Sequence, residues 1–150
     1  MSIDEQEGCN GADFDRIEHY ATMVNLLEKK CVPCEGGALP LTKEQIKEYL
    51  AQLQGEWEVE WKDGEQSRTS ALGARIKRKF RFENFREAIA FVNKVADLAE
   101  EENHHPDIRI RYVTVAIELT THAIGGLSEN DFIMASKIER LPQTEDHSTL

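Results

Sequence analysis

Cations are scarce in this chain. Its 150 residues carry 18 lysines and arginines against 28 aspartates and glutamates, a formal charge of −10 and a pI near 5.0. A surface that holds nucleic acid needs clustered Lys and Arg facing the phosphates, so direct nucleic-acid binding is not expected. The one basic run, Arg75 to Arg81 (RIKRKFR), lies in an alternating pattern and reads as the solvated face of a strand. Cysteine is scarce too: Cys9, Cys31 and Cys34 are an odd number with no secretory apolar segment, so no disulfide framework is expected and a reducing compartment is. No apolar run reaches bilayer-spanning length, so no membrane partner is expected. The opening MSIDEQEGCNGADFD is acidic and Arg-poor, unlike a transit peptide, which points to a cytoplasmic location and leaves an organelle open.

What the chain does have is clear periodicity. Residues 1–40 read as an N-terminal extension. In it Phe14, Ile17, Ala21 and Val24 recur at helical spacing through DFDRIEHYATMVNLLEKK, and CVPCEGGALP forms a loop. The compact domain is expected over 41–141, with 142–150 a tail. Thr42 and Gln45 make a capping box for a helix bearing Ile46, Tyr49, Leu50 and Leu53, stopped by Gly55. Trp57, Val59 and Trp61 alternate with charged residues, Asp63–Gly64 offers a turn, and Leu72, Ala74, Ile76, Phe80 and Phe82 alternate again, with Arg78 the misfit on the apolar face. Asn84 and Glu87 cap a second helix. Its apolar stripe (Phe85, Ala88, Ile89, Val92, Val95, Ala96, Ala99), widened by Phe91 and Leu98, is broad enough for two neighbours, the sheet and a second copy of the helix.

Beyond His104–His105–Pro106, apolar residues fall on even positions through Tyr112 and on odd ones from Val113, so a tight turn or bulge is expected there, between strands three and four. Ser128 caps a third helix with Met134, Ala135, Ile138 and Leu141 inward. The expected fold is α+β: a four-stranded antiparallel sheet with three helices on one face, plus the accessory N-terminal helix.

This order brings three histidines toward one end of the sheet. His104 and His105 lie where helix two hands over to strand three, and His122 where strand four ends. Adjacent histidines in extended chain face opposite sides, so His104 and His105 have different tasks. Imidazole both gives and takes a proton near neutrality, which suits removal of water or a proton shift on a heterocycle. Glu100, four residues before His104, is placed to orient that ring, and Asp131 falls in the first turn of helix three, where a carboxylate also matches the dipole. Three imidazoles could hold zinc, but no helical H-E-x-x-H pair is present and Cys31/Cys34 supply half a four-ligand site, so no metal is expected.

These residues resemble a known family. Glu100-x-x-x-His104-His105-Pro106, a histidine after LTT (His122) and GLSENDF with Asp131, in that order from about Leu41 to Leu141, are similar to the pterin-4a-carbinolamine dehydratases. Ile108 departs from the pattern, standing where many relatives carry an aromatic. The resemblance implies a four-stranded sheet with three helices, assembled as a homodimer or homotetramer. It implies dehydration of 4a-hydroxytetrahydropterin to quinonoid dihydropterin, without metal or organic cofactor, in support of tetrahydrobiopterin recycling. Carried over by position, His104 and His122 are the acid and base, in an order the sequence leaves open. His105 holds the pterin, Glu100 and Asp131 orient, and backbone near Pro106, Asp107 and Thr121 completes the site. Some members of the family bind homeodomain transcription factors and some relatives assist Rubisco assembly, so a non-catalytic interaction module on the same fold is the rival reading. A three-histidine metal hydrolase is a second.

Overall fold

The computed structural model describes residues 25–33, 39–61 and 73–142. The expected helix over Phe14–Val24, the Asp63–Gly64 turn, Leu72, Cys9, Cys34 and the tail from 143 lie outside them. Among the described residues the order is α1 (Lys43–Gln52), β1 (Glu58–Glu60), β2 (Arg75–Arg81), α2 (Phe85–Glu102), β3 (Asp107–Arg111), β4 (Thr114–Leu119) and α3 (Glu129–Ile138), with 3-10 turns at Leu26–Glu28 and His122–Ile124. All strand pairs are antiparallel and the spatial order is β1-β2-β4-β3. The α+β fold read from the pattern is the fold observed.

Side-chain alternation sorts the sheet into two faces. Ile76, Phe80, Val115, Ile117 and Leu119 are buried on one, in a core with helix residues Ile46, Tyr49, Phe91, Val95, Phe132 and Ile138. The central strand β4 contributes most, since each fully buried aliphatic side chain stabilises by about 1.5–3 kcal/mol. On the opposite face Arg75 bonds Glu118 at 3.1 Å and Lys77 pairs with Glu60. The odd positions of the RIKRKFR run thus form the solvated strand face, with Lys79 and Arg81 exposed.

Each helix starts where its cap is written. Gln45 N–H donates to Thr42 Oγ1 at 3.2 Å and Thr42 N–H to Gln45 Oε1 at 2.9 Å, while Glu87 N–H donates to Asn84 Oδ1 at 2.9 Å. The parity break is a turn: β3 ends at Arg111, β4 begins at Thr114, and Tyr112 between them takes φ 54°. At the N-terminal side the helical pattern does not run on to Lys30. Asn25 caps only a 3-10 turn, accepting from Leu27 N–H at 2.9 Å, and Lys29 is extended.

Two further expectations are corrected. Phe91, read as widening the stripe shared between the sheet and a second copy, belongs wholly to the core at 1% exposure; the buried face of α2 runs Ala88–Phe91–Val95–Ala99–Glu102, while Phe85, Ile89, Val92 and Ala96 form an adjoining, more open row. Gly55 does not stop α1, which ends at Gln52. A Cβ there would lie 1.7 Å from Arg78 Nη1, so the glycine makes room for a guanidinium.

That guanidinium accounts for the Arg78 misfit. It stacks on the Phe80 ring 4.5 Å from its centroid and reaches Glu139 Oε2 at 3.6 Å. Glu139, just past α3, also accepts from Gln54 N–H (2.7 Å), Gly55 N–H (3.0 Å) and Trp57 Nε1–H (3.1 Å). One carboxylate therefore ties α1, the start of β1, β2 and α3 together. Glu139→Ala orphans these donors and a half-buried cation, and should cost about 3–5 kcal/mol in urea unfolding. A loss below about 1 kcal/mol, the worth of an exposed ion pair, would show that the knot does not hold the fold.

Candidate active site

The site is built on the way helix α2 ends. Asn103 takes the left-handed conformation (φ 55°, ψ 38°) and its N–H, like that of His104 at 3.2 Å, turns back to Ala99 C=O. The chain leaves the helix axis there, so the four-residue spacing that would set Glu100 beside His104 is broken. Glu100 Oε2 instead meets His105 Nε2 at 2.7 Å. The expected Glu100–His104 pairing is therefore corrected, and His104 takes another partner: its Nε2 lies 2.7 Å from Asp131 Oδ1.

The two histidines sit in different environments. The side chain of His104 is 12% exposed and that of Asp131 is 0%, whereas His105 and Glu100 are 54% and 79% exposed. Coulombic and hydrogen-bond effects are much stronger in the first pair, where little water competes.

Asp131 is held from both sides. Its Oδ2 accepts from Ser128 N–H at 2.9 Å, completing the capping box of α3, and from Thr121 Oγ1–H at 2.8 Å. Thr121 and Ser128 hydroxyls also meet at 2.8 Å. One oxygen thus starts the helix and the other faces an imidazole. The expected cap is thus present, and the same carboxylate also bonds His104. A carboxylate on Nε2 fixes the ring's orientation and leaves Nδ1 as the nitrogen that can give or take a proton. The Thr121 hydroxyl was not foreseen, since Thr121 was expected to act through its backbone; its cue was a Thr seven residues before the capping serine.

Thr121 also connects the network to His122. It opens the 3-10 turn His122–Ile124, which Gly125 closes at φ 70°, and it bridges to Gly126. His122 is exposed, one residue from the Asp131 network. Pro106 leads into β3, and Asp107, at its first position, pairs in register with Glu118. Among the described residues no three His, Cys, Asp or Glu side chains gather with the geometry of a metal site.

Comparison with known proteins gives this arrangement a context. The family described as pterin 4 alpha carbinolamine dehydratase matches residues 39–141. Two relatives, both provisionally named pterin-4-alpha-carbinolamine dehydratases, come from Rickettsia canadensis (47% identical, 78% of this chain, 97% of the relative) and Rubrobacter xylanophilus (46%, 79% and 100%). A crystal structure described as a transcriptional coactivator/pterin dehydratase from Brucella melitensis is 33% identical, with a TM-score of 0.55 over 67% of this chain and 95% of that one. On this match the chain belongs to the pterin 4 alpha carbinolamine dehydratase family and is an enzyme of its hydro-lyase class.

Proposed function

We propose that the protein dehydrates 4a-hydroxytetrahydropterin to quinonoid dihydropterin, using side chains alone, in support of tetrahydropterin recycling. The C4a–O bond breaks as the departing hydroxyl is protonated, and the N5 proton leaves as its electrons form the C4a=N5 bond, so one acid and one base suffice. His104 and His122 fill these roles. The observation that carries this reading is the nearly buried imidazole of His104 on the fully buried carboxylate of Asp131. An interaction module has no use for a titratable pair kept from water at such cost. An acid–base catalyst does, because the carboxylate holds the ring in one orientation and stabilises the imidazolium formed in turnover.

His105 and Glu100 form a separate, open pair, suited to hold the polar edge of a pterin rather than to move its protons. Pro106, Asp107 and Thr121 border the same site. The open row on α2, with Phe85 50% exposed and Ile89, Val92 and Ala96 in line with it, supports assembly into a homodimer or homotetramer through that helix.

Chemically prepared 4a-hydroxytetrahydropterin, followed by stopped-flow absorbance, tests the reaction. The protein should accelerate its decay above the spontaneous rate, and a chelator should leave the acceleration unchanged; loss of activity restored by zinc would favour a metal enzyme. His104→Ala and His122→Ala should each lower kcat by about 10²- to 10⁴-fold. His105→Ala and Glu100→Gln should act together, raising KM more than they lower kcat. A Glu100→Gln variant that tracks His104→Ala in kcat instead would sink this division of roles.

For the assembly, Val92→Glu should shift the mass in light scattering toward monomer with the circular dichroism spectrum retained. A wild type already monomeric at working concentration refutes it.

A further inference from the structure

The segment Asn25–Pro33, ahead of the compact domain, is seated on the two turns that carry His104 and Asp131. Leu26 is 3% exposed and joins the core. From there the strap makes polar contacts in sequence. Lys29 pairs with Glu129. Cys31 N–H donates to Glu102 Oε2 at 3.0 Å, and Cys31 Sγ–H points to Asn130 C=O at 3.6 Å. Val32 is clamped at both of its backbone polar groups by one side chain, with Val32 N–H donating to Asn130 Oδ1 at 3.1 Å and Asn130 Nδ2–H to Val32 C=O at 2.6 Å. The Asn130 amide reads the strap backbone as a neighbouring strand would.

The receiving residues adjoin the site. Glu129 and Asn130 immediately precede Asp131 on α3, and Glu102 is the last residue of α2, two before His104. All three are buried, at 7%, 2% and 5% exposure, although polar or charged. Glu102 also takes Lys137 of α3, and Glu129 takes the Tyr49 hydroxyl at 3.1 Å. Polar groups are tolerated at such depth only when their hydrogen bonds are made, and several of those bonds come from the strap.

We propose that the strap is a positioning element for the acid–base pair, and that Asn130 and Glu102 are positioning residues through which it fixes the distance between His104 and Asp131. The inference rests on the reading of that pair as catalytic. The turn bearing His104 follows α2 and the turn bearing Asp131 opens α3; the Glu102–Lys137 pair ties the end of α2 to the last turn of α3, and the strap contacts both Glu102 and the first turn of α3. Release of the strap lets the two turns drift apart by fractions of an ångström, a displacement to which oriented proton transfer is sensitive. The half-buried Cys31, packed against the core, agrees with a closely seated strap. Burial first, and the charge of Glu102 next, push its thiol up to about 12. The same seat affects Glu102: burial opposes its ionisation, but the Lys137 hydrogen bond and the Cys31 N–H prevail and hold its carboxyl below the ordinary value.

The test uses the full chain with Asn130→Ala, and with Val32→Pro, which deletes the strap N–H that Asn130 accepts without touching α3 and so serves if the first variant fails to fold. Three measurements are made on each. Mass-spectrometric mapping of iodoacetamide labelling at pH 8 reads seating of the strap: Cys31 should be protected in wild type and labelled in the variants. Nitrogen-15 spectra of the imidazoles read the pair: the His104 signals should shift or broaden while those of His105 stay. Kinetics on 4a-hydroxytetrahydropterin should show kcat down by about 10- to 100-fold with KM changed less than about threefold. Glu139→Ala, which weakens the fold far from the site, is the control and should leave kcat near wild type at a temperature where it is folded. Cys31 still protected in both variants overturns the clamp, and Cys31 labelled with His104 signals and kcat unchanged overturns the positioning role. An equal kcat loss in Glu139→Ala does so too. An inactive wild type would refute the assigned reaction, and the labelling and imidazole arms would still decide whether the strap sets the pair.

Discussion

Everything at the functional end of the molecule depends on one carboxylate. Asp131 is fully buried, and a buried carboxylate persists only if its lone pairs are occupied. Here Ser128 N–H, Thr121 Oγ1–H and His104 occupy them. Those donors come from the start of α3, the exit of β4 and the exit of α2. The demand of a single anion for partners thus gathers three chain segments, and the oxygen the helix cap leaves over is the one that meets His104.

Two kinds of imidazole environment follow from the way α2 stops. Asn103 swings the chain out of the helix, so that one histidine turns inward to Asp131 and its neighbour stays outside with Glu100. The inner pair works in a medium where a proton's position is strongly coupled to its surroundings, the outer in one where water competes for every contact. In the proposed division of roles, binding and proton transfer are kept apart by one peptide unit.

Much of this was legible in the sequence, for definable reasons. Caps and alternation are local, so the three helix starts at Thr42, Asn84 and Ser128 and the parity break at Tyr112–Val113 could be read from neighbouring residues. The histidine set was legible as an ordered motif. Glu100 was assigned to His104 because helical spacing was carried one turn past the helix's end; an asparagine at position 103, suited to the left-handed conformation, was the available cue. Phe91 and Ile89 were equally apolar in the pattern, and the choice of which faces the core is tertiary. Arg78 and Gly55 explain each other only once β2 lies against the end of α1. The seating of Cys31 and Val32 on Asn130 spans 98 residues in sequence and left no periodic trace.

The β3–β4 hairpin has a geometric consequence for the site. Its last register pair is Asp107 with Glu118, and the same register carried three residues further sets His104 across from Thr121, the two groups that share Asp131. The loop that fixes this register is at the opposite end, at Tyr112–Val113, roughly 17 Å away by strand rise. A hairpin is a ruler: its open ends are aligned only as well as its closed end is counted. One residue more in that loop, unless taken up there as a bulge, would slide the ladder by a step and turn every side chain on the shifted strand to the other face of the sheet. The alignment of the end that holds His104 and Asp131 thus depends on a turn that touches neither.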